Sequence, residues 1–229
     1  NAGTYASTAS GTDTNYSLTF VNGAFTINKA NATVTANSGT ATYTGVAQSV
    51  SGFTATGLVN GEAPTILTGV SASGTGTSAG TYASTASGTD TNYNLTFVPG
   101  ALTINKAHLT VAANNATKTY GDVLTNTQVL GLSSSAGGSS VYTLPTLTDV
   151  FGSSVPVAVS AGMSATASVS GSPYAITVTP GTSNGSYNVS YATPGTITVN
   201  TKAVTVTGTS VASKVYDGTT TATLSGGTL

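Results

Sequence analysis

A hydrolase needs a nucleophile, a base within hydrogen-bond reach and a group that orients the base. The chain offers many serines but a single histidine, His108. Strand alternation turns His108 away from the face carrying Leu109 and Val111, which marks a surface or junction residue. A glycosidase needs two carboxylates held at a defined separation. The six acids are scattered instead, and Asp13 and Asp90 are copies of one position. Asp13–Tyr16 and Asp90–Tyr93 both read Asp-Thr-Asn-Tyr, an Asp-x-Asn spacing that hints at calcium. Calcium takes about six to eight oxygens, several from carboxylates, and no second acid stands nearby in sequence. An Asx turn leading into a strand accounts for both residues without a metal. No catalytic, metal-ligating or cofactor-binding residue is expected, and no cofactor.

Two other residue types recur at fixed spacing. Lys29, Lys106 and Lys202 are each followed, at one and the same interval, by a tyrosine: Tyr43, Tyr120 and Tyr216. The lysines could supply one arm of an isopeptide cross-link to asparagine, which requires a buried lysine, asparagine and acid in contact. Otherwise they mark an edge strand or linker, where charge discourages unwanted pairing. The tyrosines are stacking platforms for sugars or amphipathic plugs at domain ends.

Composition narrows the choice. Charged residues make up 5% of the chain, against about a quarter in an ordinary soluble domain. All five basic residues are lysine and the formal net charge is −1. Nucleic acid and anionic membrane surfaces both demand clustered cations, so neither is an expected partner. No apolar run approaches the ~20 residues of a membrane span, and none of this segment is expected to insert in a membrane. With no cysteine, disulfides and thiolate metal sites are excluded. This makeup suits a secreted, extracellular or cell-surface bacterial protein, and an export signal is expected upstream of Asn1, which begins in mid-pattern.

The pattern is a tandem repeat. Ala2–Ala30 and Ala79–Ala107 differ only at Ser17/Asn94, Asn22/Pro99 and Phe25/Leu102. Asn92–Ala107 returns more loosely as Ser186–Ala203. The chain therefore divides into the closing part of one repeat (1–30), a complete repeat (31–107), a complete and longer repeat (108–202) and an opening part (203–229). The extra length falls in the Ser133–Ser154 stretch, an elaborated loop or added strand and the first candidate for a binding surface.

Each repeat reads as β. In NLTFVPGALTIN, Leu95 and Phe97 share one face and Leu102 and Ile104 the same face of a following strand. Pro99-Gly100 fits the centre of a type II turn between them. Short alternating strands open the repeats at Leu109–Val111 and Val204–Val206. No window shows helical spacing. An all-β chain of small immunoglobulin-like sandwich modules is expected, with β-grasp-like modules as the alternative. Gly80-Thr81-Tyr82 invites comparison with a tyrosine corner.

Taken in order, Tyr120-Gly121-Asp122, the AGTY segment with Tyr82, the NYNLTF strand with Tyr93 and the closing PGALTINKA with Pro99 and Gly100 resemble the MBG domain family (YGX type). Tyr216-Asp217-Gly218-Thr219 resembles the opening of the companion YDG domain; Tyr43-Thr44-Gly45 departs from the Tyr-Gly order. The resemblance implies tandem arrays in large bacterial surface proteins of the filamentous haemagglutinin-like adhesin kind, and no catalytic residues. Three functions follow as expectations. The chain is a stalk or spacer whose partners are neighbouring repeats, or a filament subunit completed by strand exchange with other copies of itself, or a module that binds host or matrix glycans.

Overall fold

The computed structural model describes residues 1–134, 145–192 and 194–228. Strand makes up 46% of it and helix 8%, so the chain is all-β. It forms two compact units. The first takes in Asn1–Leu109 and Ser183–Val189, the second Thr110–Ser133, Pro145–Thr182 and Ser190–Leu229.

The chain opens with a hairpin, β1 (Gly3–Ser7) against β2 (Gly23–Ile27). Then come β3 (Ala30–Ala36), β4 (Gly39–Thr42), β5 (Gln48–Ser51), β6 (Phe53–Thr56), β7 (Val70–Gly76), β8 (Gly80–Gly88), β9 (Tyr93–Val98) and β10 (Gly100–Asn105). They build a five-stranded sheet, β4-β10-β8-β7-β5, and a three-stranded sheet, β6-β3-β9. Period-2 patterning decides the faces: in β3 (ANATVTA) Ala32, Val34 and Ala36 are buried while the residues between them are not. Leu67, just past the 3-10 turn Pro64–Ile66, is 2% exposed and packs with Ala32, Val34 and Tyr93. Phe53, Leu95 and Phe97 from the small sheet and Val70 and Ala86 from the large one close around this cluster, so the two sheets form a sandwich. Each large side chain buried there contributes about 1.5–3 kcal/mol.

The expected type II turn at Pro99-Gly100 is not formed. β9 and β10 are not paired with each other; they lie in different sheets, separated only by Pro99. Both run parallel to the opening strands of the same repeat, β9 along β3 (Ala30 facing Tyr93) and β10 along β4 (Gly39 facing Leu102), in one constant register. Two long strands thus pass together from one sheet to the other. Gly100 is needed for closeness rather than for a positive φ: a Cβ there would lie 2.4 Å from the Ala36 carbonyl oxygen and 2.6 Å from that of Asn37. These parallel pairs also distinguish the module from an immunoglobulin sandwich, whose strands are antiparallel. Tyr82 on β8 donates its hydroxyl to the Ser78 carbonyl at 2.9 Å, and its copy Tyr5 donates to the Asn1 carbonyl at 2.6 Å, the bonding pattern of a tyrosine corner.

Beyond β10 come β11 (Ala107–Ala113), β12 (Ala116–Thr119), α1 (Asn126–Val129), β13 (Leu130–Ser134), α2 (Leu147–Phe151), β14 (Val157–Val159), β15 (Tyr174–Ala175), β16 (Thr177–Thr179), β17 (Tyr187–Tyr191), β18 (Thr196–Asn200), β19 (Thr207–Val211) and β20 (Leu224–Thr228). The sheets are β13-β11-β17, β12-β18-β15, β14-β16 and β19-β20. β12 and β18 are parallel, as β4 and β10 are, and Gly195 repeats the close crossing: its Cβ would lie 2.4 Å from the Ala113 carbonyl oxygen. The two short helices were not expected. Each opens on a capping box, Thr125 with Gln128 and Thr146 with Asp149. α2 occupies part of the extra stretch expected as loop or strand; residues 135–144 of that stretch lie outside the described residues. The strand expected at Val204–Val206 does not form and β19 begins at Thr207, because no described strand runs beside 203–206 as β9 runs beside β3.

Candidate functional site

The recurring feature with the most shared geometry is a corner that enters β9 and its copies. The Asp90 carboxylate accepts from the Asn92 amide at 2.7 Å and the Tyr93 amide at 3.2 Å. Asp13 does the same for Asn15 at 2.7 Å and Tyr16 at 3.0 Å, and Asn184 accepts from the Ser186 amide at 3.1 Å. These are Asx turns, as the sequence led us to expect. The tyrosine that follows the corner is buried in two of the three copies, Tyr93 at 3% and Tyr187 at 6% exposure, whereas Tyr16 is 74% exposed. The Tyr93 hydroxyl accepts from the Val59 amide at 3.0 Å and donates to the Glu62 carboxylate. The hydrogen bond to Glu62 is the main cause that holds this phenol above its ordinary value.

Within the first unit the corner receives the end of the preceding repeat, and it does so twice. Ala2 donates its amide to Asn92 Oδ1 at 2.9 Å, and Ala30 donates to the Asn92 carbonyl at 2.9 Å. Their copies repeat both bonds on Ser186: Ala79 donates to Oγ at 3.2 Å and Ala107 to the carbonyl at 3.0 Å. At the first joint Lys29 Nζ also donates to the Asp90 carbonyl at 2.6 Å. At the second, the rings of Tyr43 and Tyr187 meet edge to face with centroids 5.2 Å apart. Edge-to-face tyrosines contribute about 0.5–1.5 kcal/mol beyond the area they bury.

The remaining motif residues fall as follows. Tyr43 and Tyr120 sit at equivalent places, each donating its amide to the last residue of the neighbouring parallel strand, Asn105 at 2.8 Å and Asn200 at 2.9 Å. Tyr43 is half-buried, whereas Tyr120 is 46% exposed. Gly121, with φ +98°, donates its amide to the Ala165 carbonyl at 3.1 Å. Tyr216 is 91% exposed; beside it Asp217 binds Lys214 at 2.9 Å and the Thr219 amide at 3.0 Å, with Gly218 between them. The Lys214 hydrogen bond is the main cause that holds the Asp217 carboxyl below its ordinary value. Lys29, Lys106 and Lys202 are all exposed, as is His108 on β11. The buried lysine is a different one, Lys118, at 6% exposure. Its ammonium donates to the main-chain carbonyls of Asp122, at 2.9 Å, and Ser164, tying the Tyr120 turn to the segment behind it. An open cleft beside the first joint is lined by Lys29, Thr68, Gly69, Thr89, Asp90 and Thr91; no aromatic ring is among them to stack on a sugar.

Sequence reasoning found the corner's Asp-x-Asn but not its role as a socket. The signal was present: an amide or hydroxyl side chain precedes the tyrosine in every copy, as Asn15, Asn92 and Ser186. The parallel pair, the sandwich and the repeated corner frame the stretch compared with known families. Residues 32–103 match the MBG domain (YGX type). The matched span runs from β3 into β10 and contains Tyr43, Tyr82, Tyr93, Pro99 and Gly100. MBG domains are repeat modules of surface proteins, structural rather than catalytic in kind. No curated protein and no solved structure gives a significant match to the chain. No helix among the described residues is long and apolar enough to cross a membrane.

Proposed function

We propose that the chain is a length of spacer from a secreted or surface-anchored bacterial adhesin, an array of MBG-like repeats that holds another part of the protein at a distance. The observation that carries this reading is the joint made twice with the same main-chain donors, Ala2 and Ala30 on Asn92, then Ala79 and Ala107 on Ser186. A contact reproduced from copy to copy sets a fixed step, and length then scales with copy number. Electron microscopy of the native protein beside the purified chain tests it. A spacer shows thin stalks on cells and an unbranched monomer in isolation, and a glycan array probed with the chain stays silent. Binding to a defined sugar class would shift the reading to an adhesive module.

A second reading, a filament built by strand exchange, draws on open edges. In the 31–107 repeat the copies of β1 and β2 are paired on both sides, β8 with β7 and β10 with β4. β1 and β2 pair only with each other among the described residues, and Phe25 and Ile27 are 61% and 41% exposed. Polymerisation that rises with concentration in sedimentation runs would favour the filament. A monomer throughout would exclude it.

A further inference from the structure

We infer that the exposed face around Tyr120 is a docking socket for the Asx corner of a following repeat, with Tyr120 meeting the corner tyrosine edge to face. The inference rests on the spacer reading. Its ground is the structural identity of Tyr43 and Tyr120. Both follow the short strand that runs parallel to the repeat's closing strand, β4 beside β10 and β12 beside β18. Both are held by the same main-chain bond, to Asn105 and Asn200. Tyr43 has its partner, the corner tyrosine Tyr187, with ring planes 89° apart. Tyr120 stands 46% exposed beside Val123, 63% exposed.

The rest of the socket follows by the same correspondence. Ala203 occupies the place of Ala30 and Ala107, whose amides bind the corner carbonyl. Lys202 occupies the place of Lys29, whose ammonium binds the carbonyl of the corner's first residue, and its Nζ lies 3.7 Å from where a Gly121 Cβ would be. Ring, amide and ammonium therefore belong to one end of the 108–202 repeat. Each has an observed counterpart engaged with an Asn-Tyr or Ser-Tyr corner. The later Ser-Tyr pair, Ser190-Tyr191, lies inside β17 rather than at a corner that enters it. In both observed joints the corner belongs to the repeat that follows the alanine, Asn92 after Ala30 and Ser186 after Ala107, so the occupant that fits is the corner of a repeat following Ala203.

The test uses residues 1–203 followed in frame by a second copy of 31–107. Its appended Asn92-Tyr93 corner is the probe. Three chains are compared: unaltered, Tyr120→Ala and Tyr120→Phe. We expect Tyr120→Ala to lower the unfolding midpoint of the appended copy by about 4–8 °C, with Tyr120→Phe leaving it in place. A ring-to-ring nuclear Overhauser contact between Tyr120 and the appended Tyr93 should be present in the unaltered chain. A folded copy with one midpoint in all three chains and no ring contact would overturn the inference and leave the spacer reading intact. A copy that stays unfolded, or that small-angle scattering shows folded back on its neighbour, would refute the spacer reading itself. Because Tyr120 is half open to solvent, its truncation is expected to leave its own repeat folded, which that repeat's separate midpoint reports.

Discussion

Replacing Gly100 with alanine separates two accounts of the Pro-Gly motif. In a type II turn glycine is chosen for its positive φ, and alanine there costs about 1–2 kcal/mol. Gly45 is a glycine of that kind, with φ +84° and nothing within 4 Å of its would-be Cβ. Gly45→Ala is therefore the internal standard. At Gly100 the added methyl would meet two carbonyl oxygens at 2.4 and 2.6 Å. A comfortable carbon–oxygen contact is about 3.3 Å or more, so β3–β4 and β9–β10 must part by most of an ångström where they cross. That displacement weakens both parallel pairs at once. We expect a loss of about 3 kcal/mol, the upper range for forced overpacking. Set against ~0.1 kcal/mol per residue for a domain, this is a large share of the stability of the 31–107 repeat. The assay is urea unfolding of the full chain, followed by tyrosine fluorescence and by hydrogen exchange of the β9 amides. Gly195→Ala should behave likewise in the longer repeat. If Gly100→Ala costs the same as Gly45→Ala, to within the about 0.5 kcal/mol that an inconsequential surface substitution produces, the crossing argument is wrong.

Three further outcomes are expected. The neutral Tyr93 phenol is favoured in the folded state, so its contribution is complete below about pH 10 and is lost as pH rises through the raised folded value. Tyr93→Phe should flatten the alkaline limb of the urea midpoint against pH, and parallel limbs would count against the Glu62 contact. Lys118→Ala leaves the Asp122 and Ser164 carbonyls without their ammonium, and should cost about 3 kcal/mol in the transition of the 108–202 repeat, whereas a loss under about 1 kcal/mol would mean water replaces it. Thr146→Ala removes the N-cap of α2 and should cost about 1 kcal/mol. The Asp149 carboxyl is held low chiefly by its hydrogen bond to Thr146. Its share of the cap is therefore present above about pH 4 and is lost as pH falls through the depressed value, and amide shifts of 147–151 across that range report it.

The features legible in the sequence are those that depend on local chemistry or on copying. Period-2 runs revealed the strands β9, β10 and β11, because an alternating segment has one stable way to bury half its side chains. The Asp-x-Asn pairs revealed the corner, because a carboxylate two residues ahead of an amide closes an Asx turn unaided. Strand direction was not legible. Pro99-Gly100 between alternating runs has the local signature of a hairpin, and only the distant β3–β4 segment, running alongside, makes it a crossing. The helices escaped because four or five residues hold too little of a 3.6-residue period to register. Their capping boxes, Thr-x-x-Gln and Thr-x-x-Asp, were the signal to look for. Lys118 was passed over because Ala41 stands in its place in the shorter repeat.

The joint explains why copies can diverge so unevenly. Its fixed elements are main-chain groups: the amides of Ala2, Ala30, Ala79 and Ala107 and the carbonyls of Asn92 and Ser186. A main-chain donor survives any substitution except proline, and the one side chain required is a short acceptor, supplied by asparagine in one copy and serine in the next. The corner itself tolerates Asp90 or Asn184 at its head, because either carries the oxygen that closes the Asx turn. The 108–202 repeat accordingly carries its extra stretch between opening and closing strands while its corner still accepts Ala79 and Ala107. Repeats joined through such groups can be lengthened or recopied without renegotiating the contact with their neighbours. Near identity between Ala2–Ala30 and Ala79–Ala107 is therefore not a demand of the joint, since Ser186 meets that demand with far less of the sequence in common.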